Sequence, residues 1–365
     1  MKPPLAVASR HYDWIDYAKF FAIVKVVCLH VINGMYQSGY HETHHALLLV
    51  KTLDASMMPL LFMISGITVQ QSLDKRGLAG FTRNKVATVL YPYLVWSLIQ
   101  LSFQVFAWKL NYANQPKHLA GISGILYSPH DSDQFWFLYV LFLCLLLYAF
   151  MVSYLKFSMR LLLVFSAVLL VLFYYMPVHF NVFAIRTVFK FLFYVALGAA
   201  LSNYLTSAQA AGRLSRWSTL VLAGIPFFLL HTCIYYFHIT LPEQAFFSAT
   251  NLLRLLATAS GISFVLVLSF VLAKRRLFGW MPAIGKKTLY IFCLHIIVFG
   301  GLRLLVVKGF HGGGDPVSML VLLGGSLLIP MLLQQLLQKL GFNFLFRYYE
   351  ESAKTTIIAA NPRPV

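Results

Sequence analysis

About ten stretches of this chain are apolar for long enough to cross a bilayer, since a helical span needs about 20 mainly apolar residues. They lie near 14–36, 50–72, 87–108, 134–155, 160–177, 186–204, 217–238, 251–273, 288–307 and 317–338. Hydrocarbon offers no partner to backbone N–H and C=O groups, so a spanning segment of this length satisfies them as a helix. The expected fold class is therefore all-α, a polytopic membrane protein of about ten transmembrane helices. Composition excludes a soluble globule: 59% of the 365 residues are hydrophobic and only 11% are charged. The formal charge of +18 would suit nucleic acid if it lined one polar face. It occurs instead as short clusters between apolar runs, the pattern that orients membrane proteins.

Placing the N-terminus in the cytoplasm puts 19 of the 29 lysines and arginines on inner segments, among them Lys75, Arg76, Arg83, Lys85, Arg213, Arg216, Lys274 to Arg276, Lys286 and Lys287. Both termini are thus expected to be cytoplasmic, in agreement with an even number of spans. The charges Asp13, Asp16, Lys19 and Lys25 interrupt the first run, and no small-residue cleavage site follows it, so that span is expected to be retained. Residues 1–349 read as one transmembrane domain, with an outward loop at about 109–133 too short to fold alone, and residues 350–365 as a disordered tail. Tyr-Pro-Tyr at 91–93 is expected to break the third run, and the fifth is short, ending at Pro177. Neither a fixed-period repeat nor the inverted symmetry of transporters is evident. Cys28, Cys144, Cys233 and Cys293 all fall in apolar runs without metal-ligand spacing and read as buried thiols.

The first run carries ionisable groups where they are costly, roughly 2.5 to 3.5 kcal/mol at a helix centre, so they are expected to face protein or a wet cavity. Lys19 and His30 are eleven residues apart. On a helix that separation places them within about 20° of one another and about 16 Å apart along the axis. Asp16 and Asn33 extend the stripe, whereas Lys25 points elsewhere. Two readings stand for Lys19: an anchor at the inner headgroups, where lysine snorkels, or a functional cation. For His30, deeper in the span, the functional reading is favoured.

A basic residue, ten residues and then histidine in "WIDYAKFFAIVKVVCLH" resembles the opening helix of the acyltransferase-three family of integral-membrane O-acyltransferases. The similarity continues in family order through "MPLLFMISGITV", "FTRNKVATVLYPYLVW", "FWFLYVLFL", "FKFLFYVALGAAL" and "IGKKTLYIFCLHIIV". This resemblance implies a ten-span enzyme moving an acyl group, most often acetyl from acetyl-CoA, onto a hydroxyl of a saccharide such as an exopolysaccharide or lipid-linked glycan. It implies a bacterial inner-membrane location, and other polysaccharide-assembly proteins as partners. Acyl-CoA enters as donor substrate, with no permanently bound cofactor and no metal.

By resemblance His30 matches the catalytic histidine and Lys19 the residue serving the donor. Where many members carry two arginines spaced by three, this chain has Lys85 and Thr88, with Arg83 nearby as a substitute cation for the donor. Ser65, Trp136 and His295 fall in the matching motifs and, with Asp16, are expected to line the substrate cavity. The chemistry suits this placement: a cation near the inner mouth holds the charged end of acyl-CoA. A neutral imidazole higher up takes a proton from an attacking hydroxyl or itself carries the acyl group. Asp54, at comparable depth in the second run, is expected to orient His30, although marking the start of its span or pairing with Lys51 is an equal reading.

"HETHH" at 41–45 matches the H-E-x-x-H zinc pattern, yet no third ligand is evident and it lies in a short polar loop, so a chance match is favoured. Arg186, Lys190 and Arg254 fall toward outer ends, where they meet lipid headgroups or an anionic glycan. The rival to the enzyme is a transporter or flippase for a glycan or lipid-linked intermediate, using the same intramembrane polar residues as a relay.

Overall fold

A computed structural model describes residues 12–110, 122–177, 181–236, 249–309 and 314–348, apart from the side chains of residues 54, 55, 131, 249, 250, 308 and 309. Among the described residues the chain is helical throughout, without strands. Its helices are α1 (Asp13–Gln37), α2 (His44–Ile67), α3 (Val69–Lys85), α4 (Tyr91–Lys109), α5 (Gly124–Tyr127), α6 (Trp136–Ser153) and α7 (Met159–Tyr175). They are followed by α8 (Ile185–Leu205), α9 (Ala208–Leu214), α10 (Trp217–Tyr236), α11 (Ala249–Arg275), α12 (Trp280–Gly285), α13 (Thr288–Leu304) and α14 (Pro316–Lys339). Among the described residues, against about ten expected spans, eight helical runs are long and apolar enough to cross a membrane; α7 is a shorter apolar helix, and α1, with its charges, is not among the eight. We call the end at which α1 begins proximal and the end at which it finishes distal.

Helix α1 occupies the middle of the bundle, packed against α2, α11, α12, α13 and α14. Its buried residues, from Trp14 through Ala18, Ala22, Val26 and Val31 to Met35, are spread around the whole circumference, as a helix enclosed by others requires. The rim is the reverse. Val221, Leu222, Ile225, Phe228 and Leu229 on α10, and Leu320, Leu328, Leu332 and Leu336 on α14, are exposed. Large apolar side chains presented outward on spanning helices fit a hydrocarbon surround.

Helices α2 and α8 pack backbone against backbone, and two glycines explain it. A Cβ on Gly66 would collide with the carbonyl oxygen of Val195, and one on Gly198 with the carbonyl oxygen of Met63. Small residues on both helices let the backbones touch, the usual route to close association in a membrane.

Several expected boundaries shift. The second span runs over residues 44–67, so part of "HETHH" enters the helix; His41–Thr43 form one 3-10 turn ahead of it. The expected inner loop near residues 75–85 is helical, its direction changed at Gly77, whose φ of 65° suits a residue without Cβ. The third run is not broken at Tyr-Pro-Tyr. A π-helical turn, Val86–Leu90, leads directly into α4, and its changed hydrogen-bond register accommodates Pro92 at the second position of α4. The cysteines are free, with Cys144 and Cys293 buried but Cys28 and Cys233 only half-buried.

Candidate active site

At the proximal end the carboxylate of Asp16, 3% exposed, lies 3.7 Å from the Lys19 ammonium and 4.0 Å from that of Lys286. Lys286 arrives because α12 packs flat on α1: a Cβ on Gly285 would strike the Asp16 carbonyl oxygen. Lys19 itself keeps 36% of its side chain exposed, so it is available to a ligand while Asp16 restrains its position. Lys25, expected to point elsewhere, is buried at 7% exposure. It lies about 8 Å below His30 along the axis of α1. Lys25 does lie off the stripe, about 140° from His30 around α1, and that side of the helix is buried in protein as well.

In the distal half the His30 ring faces His295 of α13, with centroids 5.3 Å apart. His295 is fully buried. Its Nδ1 lies 3.0 Å from the Ile291 carbonyl oxygen and 2.9 Å from that of Phe292. A carbonyl only accepts, so Nδ1 carries the proton and Nε2 presents a lone pair. That Nε2 has no hydrogen-bond partner. A buried acceptor left without a donor, beside a half-buried imidazole, is a place made for an incoming N–H or O–H.

A relay of ring contacts leads away from this place. Phe292 touches His295 and Phe137; Phe137 meets Phe62, which stacks on Phe191 at 4.2 Å. Phe191 adjoins Trp136, and Trp136 stacks on His130 at 5.2 Å. The segment that delivers Trp136 is held by a buried amide pair. Gln134 Nε2 donates to Gln100 Oε1 at 2.7 Å and Gln100 Nε2 donates back at 3.1 Å, while Gln104 Nε2 donates to Asp133 at 2.6 Å. His130 and Thr187 Oγ1, 2.8 Å apart, tie the same segment to α8. Trp136 is half-buried at the start of α6.

The remaining expected residues are scattered. Asp54 belongs to α2, but its side chain lies outside the described residues. Ser65, two residues before the proximal end of α2, donates its hydroxyl to the Leu61 carbonyl at 2.9 Å, and neighbouring Gly66 makes the close contact with α8. Arg83 is exposed on α3. Lys85 is half-buried there, its ammonium 5.2 Å from the Phe81 ring centroid. Arg186 is buried, donating to the Met176 carbonyl at 3.0 Å and lying over Phe173; Lys190 lies over Phe173 and Phe191. No group of three histidine, cysteine or acidic side chains able to hold a metal occurs among the described residues, so "HETHH" gains no third ligand. Lys286 and Lys25 were missed as site residues; "GKK" beside the late histidine motif was the available signal for the first, and burial alone reveals the second.

The model of the acyltransferase-3 family, described as an acyltransferase domain, matches residues 12–335. No curated protein and no solved structure matches the chain. The matched region contains Asp16, Lys19, His30 and His295, together with all the helices from α1 to α13 and most of α14. The chain belongs to the acyltransferase-3 family and is a multi-pass membrane acyltransferase.

Proposed function

We propose that this protein is a bacterial inner-membrane O-acetyltransferase that moves the acyl group of cytoplasmic acetyl-CoA to a hydroxyl of a saccharide, such as an exopolysaccharide or lipid-linked glycan unit. The observation that carries this reading is the imidazole pair: His30 beside His295, whose Nε2 is a buried acceptor without a donor. In the reaction, the acceptor hydroxyl oxygen attacks the thioester carbonyl carbon as His30 takes its proton. The tetrahedral intermediate collapses, the C–S bond breaks, and the proton passes from His30 to the departing thiolate. His295 accepts a hydrogen bond from the His30 N–H or from the hydroxyl, which orients the base. Buried Phe292 packs against His295 and adds apolar surface beside it, which disfavours water as a competing nucleophile.

The proximal end is the cytoplasmic one in this reading, because it gathers Lys19, Lys274, Arg275, Lys286 and Lys287. Lys19 and Lys286 meet the phosphates of the donor, with Arg83 and Lys85 as further cations of that face, and Asp54 is the carboxylate proposed to orient His30. The purified protein is expected to release free CoA only when acceptor is supplied, and cells without it to lose acetyl esters from surface polysaccharide. CoA release that is indifferent to acceptor and to His30 would overturn this function.

Two variants separate the roles. His295→Phe keeps most of the ring volume and removes the acceptor; kcat is expected to fall by about 10- to 100-fold, one lost polar contact in the transition state, while KM for the donor holds. Equal change in both would mark a packing role only. Asp16→Asn removes a partner from Lys19 and Lys286, pairs of the partly exposed kind worth about 0.2 to 1 kcal/mol. Donor KM is expected to move about two- to fivefold with little change in kcat, measured by steady-state CoA release.

A further inference from the structure

On the other side of α1 from the Asp16 cluster, the proximal end contains a two-chambered groove. One chamber, of about 660 Å³, is lined by Gly212, Ser215, Arg216, Lys274 and Arg275. The other, of about 490 Å³, lies among Tyr12, Asp13, Trp14, Thr206, Ser207 and Phe270. Gly212 and Lys274 line both, so the chambers adjoin. The charges are unequal: three cations surround the first space, and one carboxylate, that of Asp13, borders the second. Neither Arg216 nor Lys274 forms an ion pair among the described residues.

The three cations are exposed, and one of them is held in place. Arg275 donates to the Ser215 carbonyl at 3.0 Å and its guanidinium lies 4.7 Å from the Trp217 ring centroid, which fixes one cation of the first chamber. The turn after α11 is fastened to α1 by Tyr17, whose hydroxyl donates to the Leu277 carbonyl at 2.5 Å. In the second chamber Trp14, 5% exposed, stacks on Phe270 at 4.5 Å, and its indole N–H has no hydrogen-bond partner. Trp14 and Asp16 are separated by about 200° around α1, so this groove is distinct from the Lys19–Asp16–Lys286 cluster.

We propose that the groove between α1, α9 and α11 binds a phosphate-bearing ligand, with the phosphate on Arg216, Lys274 and Arg275 and an apolar or aromatic portion beside Tyr12 and Trp14. Cations held close together without counter-ions repel one another, and a bound phosphate offsets that repulsion through charge-assisted hydrogen bonds. Aromatic surface next to the cations suits a ligand that carries a base or an acyl chain as well as its charge. Two sources share this chemistry: an adenine nucleotide bound apart from the donor whose phosphates Lys19 and Lys286 meet, and the headgroup of an anionic lipid.

The test uses the full-length protein in zwitterionic nanodiscs and reads binding alone, so its outcome does not depend on whether acyl transfer occurs. Adenosine 3′,5′-bisphosphate is titrated against wild type, the Arg216→Ala/Lys274→Ala double variant and Gly212→Phe. A Cβ at Gly212 meets nothing within 4 Å, so the phenylalanine fills the junction of the chambers without removing a charge. In parallel, phosphatidylglycerol retained by each protein is counted by native mass spectrometry, with His30→Ala as a folded control. A Kd raised tenfold or more by both variants assigns the groove to the nucleotide. Unchanged nucleotide affinity with phosphatidylglycerol retention lost in both assigns it to the lipid. If neither ligand responds to either variant, or neither binds wild type, the proposal is overturned.

Discussion

Replacing His30 by alanine is expected to lower acyl transfer by about 10²- to 10⁴-fold, the usual worth of a positioned general base. The protein should still insert and purify as wild type does. The argument is local. His30 is half-buried on α1, 5.3 Å from the ring of His295, and the acceptor nitrogen of His295 has no donor of its own. In the proposed mechanism, removing the imidazole deletes the group that takes the hydroxyl proton and leaves the thioester with only proximity. His30→Gln serves as the control, since it restores a polar side chain that cannot act as a base at neutral pH. Both are assayed by release of free CoA with acceptor present. A single-turnover measurement without acceptor then separates general-base from covalent chemistry: one CoA released per protein, lost in His30→Ala, denotes an acyl-histidine. Full activity in His30→Ala would remove the site altogether.

Leucine at Gly66 is expected to abolish the folded state rather than only the reaction. Even a Cβ there meets the Val195 carbonyl oxygen, and at Gly198 it meets the Met63 carbonyl oxygen and the Gly66 Cα. These obstacles are backbone atoms in the middle of helices, so no rotamer change relieves them and α2 must move away from α8. Overpacking typically costs about 1 to 3 kcal/mol and occasionally more; a four-carbon side chain at a contact that admits no Cβ exceeds that range, and parting two backbones also loosens the Phe62–Phe191 stack at the same interface. Against a total stability of roughly 5 to 15 kcal/mol, Gly66→Leu and Gly198→Leu should each shift most of the protein into aggregate on size-exclusion chromatography. Alanine at either position should lower the midpoint of thermal unfolding measurably. A monodisperse Gly66→Leu protein with the wild-type midpoint would show that the helices do not meet this closely.

The site was legible to unequal depth. Helix α1 was readable because a polar stripe at eleven-residue spacing interrupts an otherwise apolar run, and Asp13–Gln37 forms as that run requires. The histidine motif of α13 was readable by resemblance. Lys25 lies off the stripe as its spacing requires, but its burial was not legible, because helices pack against that side of α1 too. The second span was set six residues late because histidines and glutamate look like loop residues, although polar groups at a helix end still reach interfacial water. The break expected at Tyr-Pro-Tyr dissolved because a π-helical turn ahead of Pro92 absorbs the missing donor.

Apolar runs, their lengths and the placing of basic clusters by themselves determined that the chain is an all-helical, multi-pass membrane protein. They did so because hydrocarbon leaves the backbone almost no alternative. Tertiary structure alone decided that His30 meets His295 from a helix 265 residues along the chain, and that Lys286 joins Asp16. In lipid the hydrophobic effect does not choose between neighbours; close backbone packing does, and contacts such as those of Gly66 with Val195 and Gly285 with Asp16 exist only once the helices are assembled.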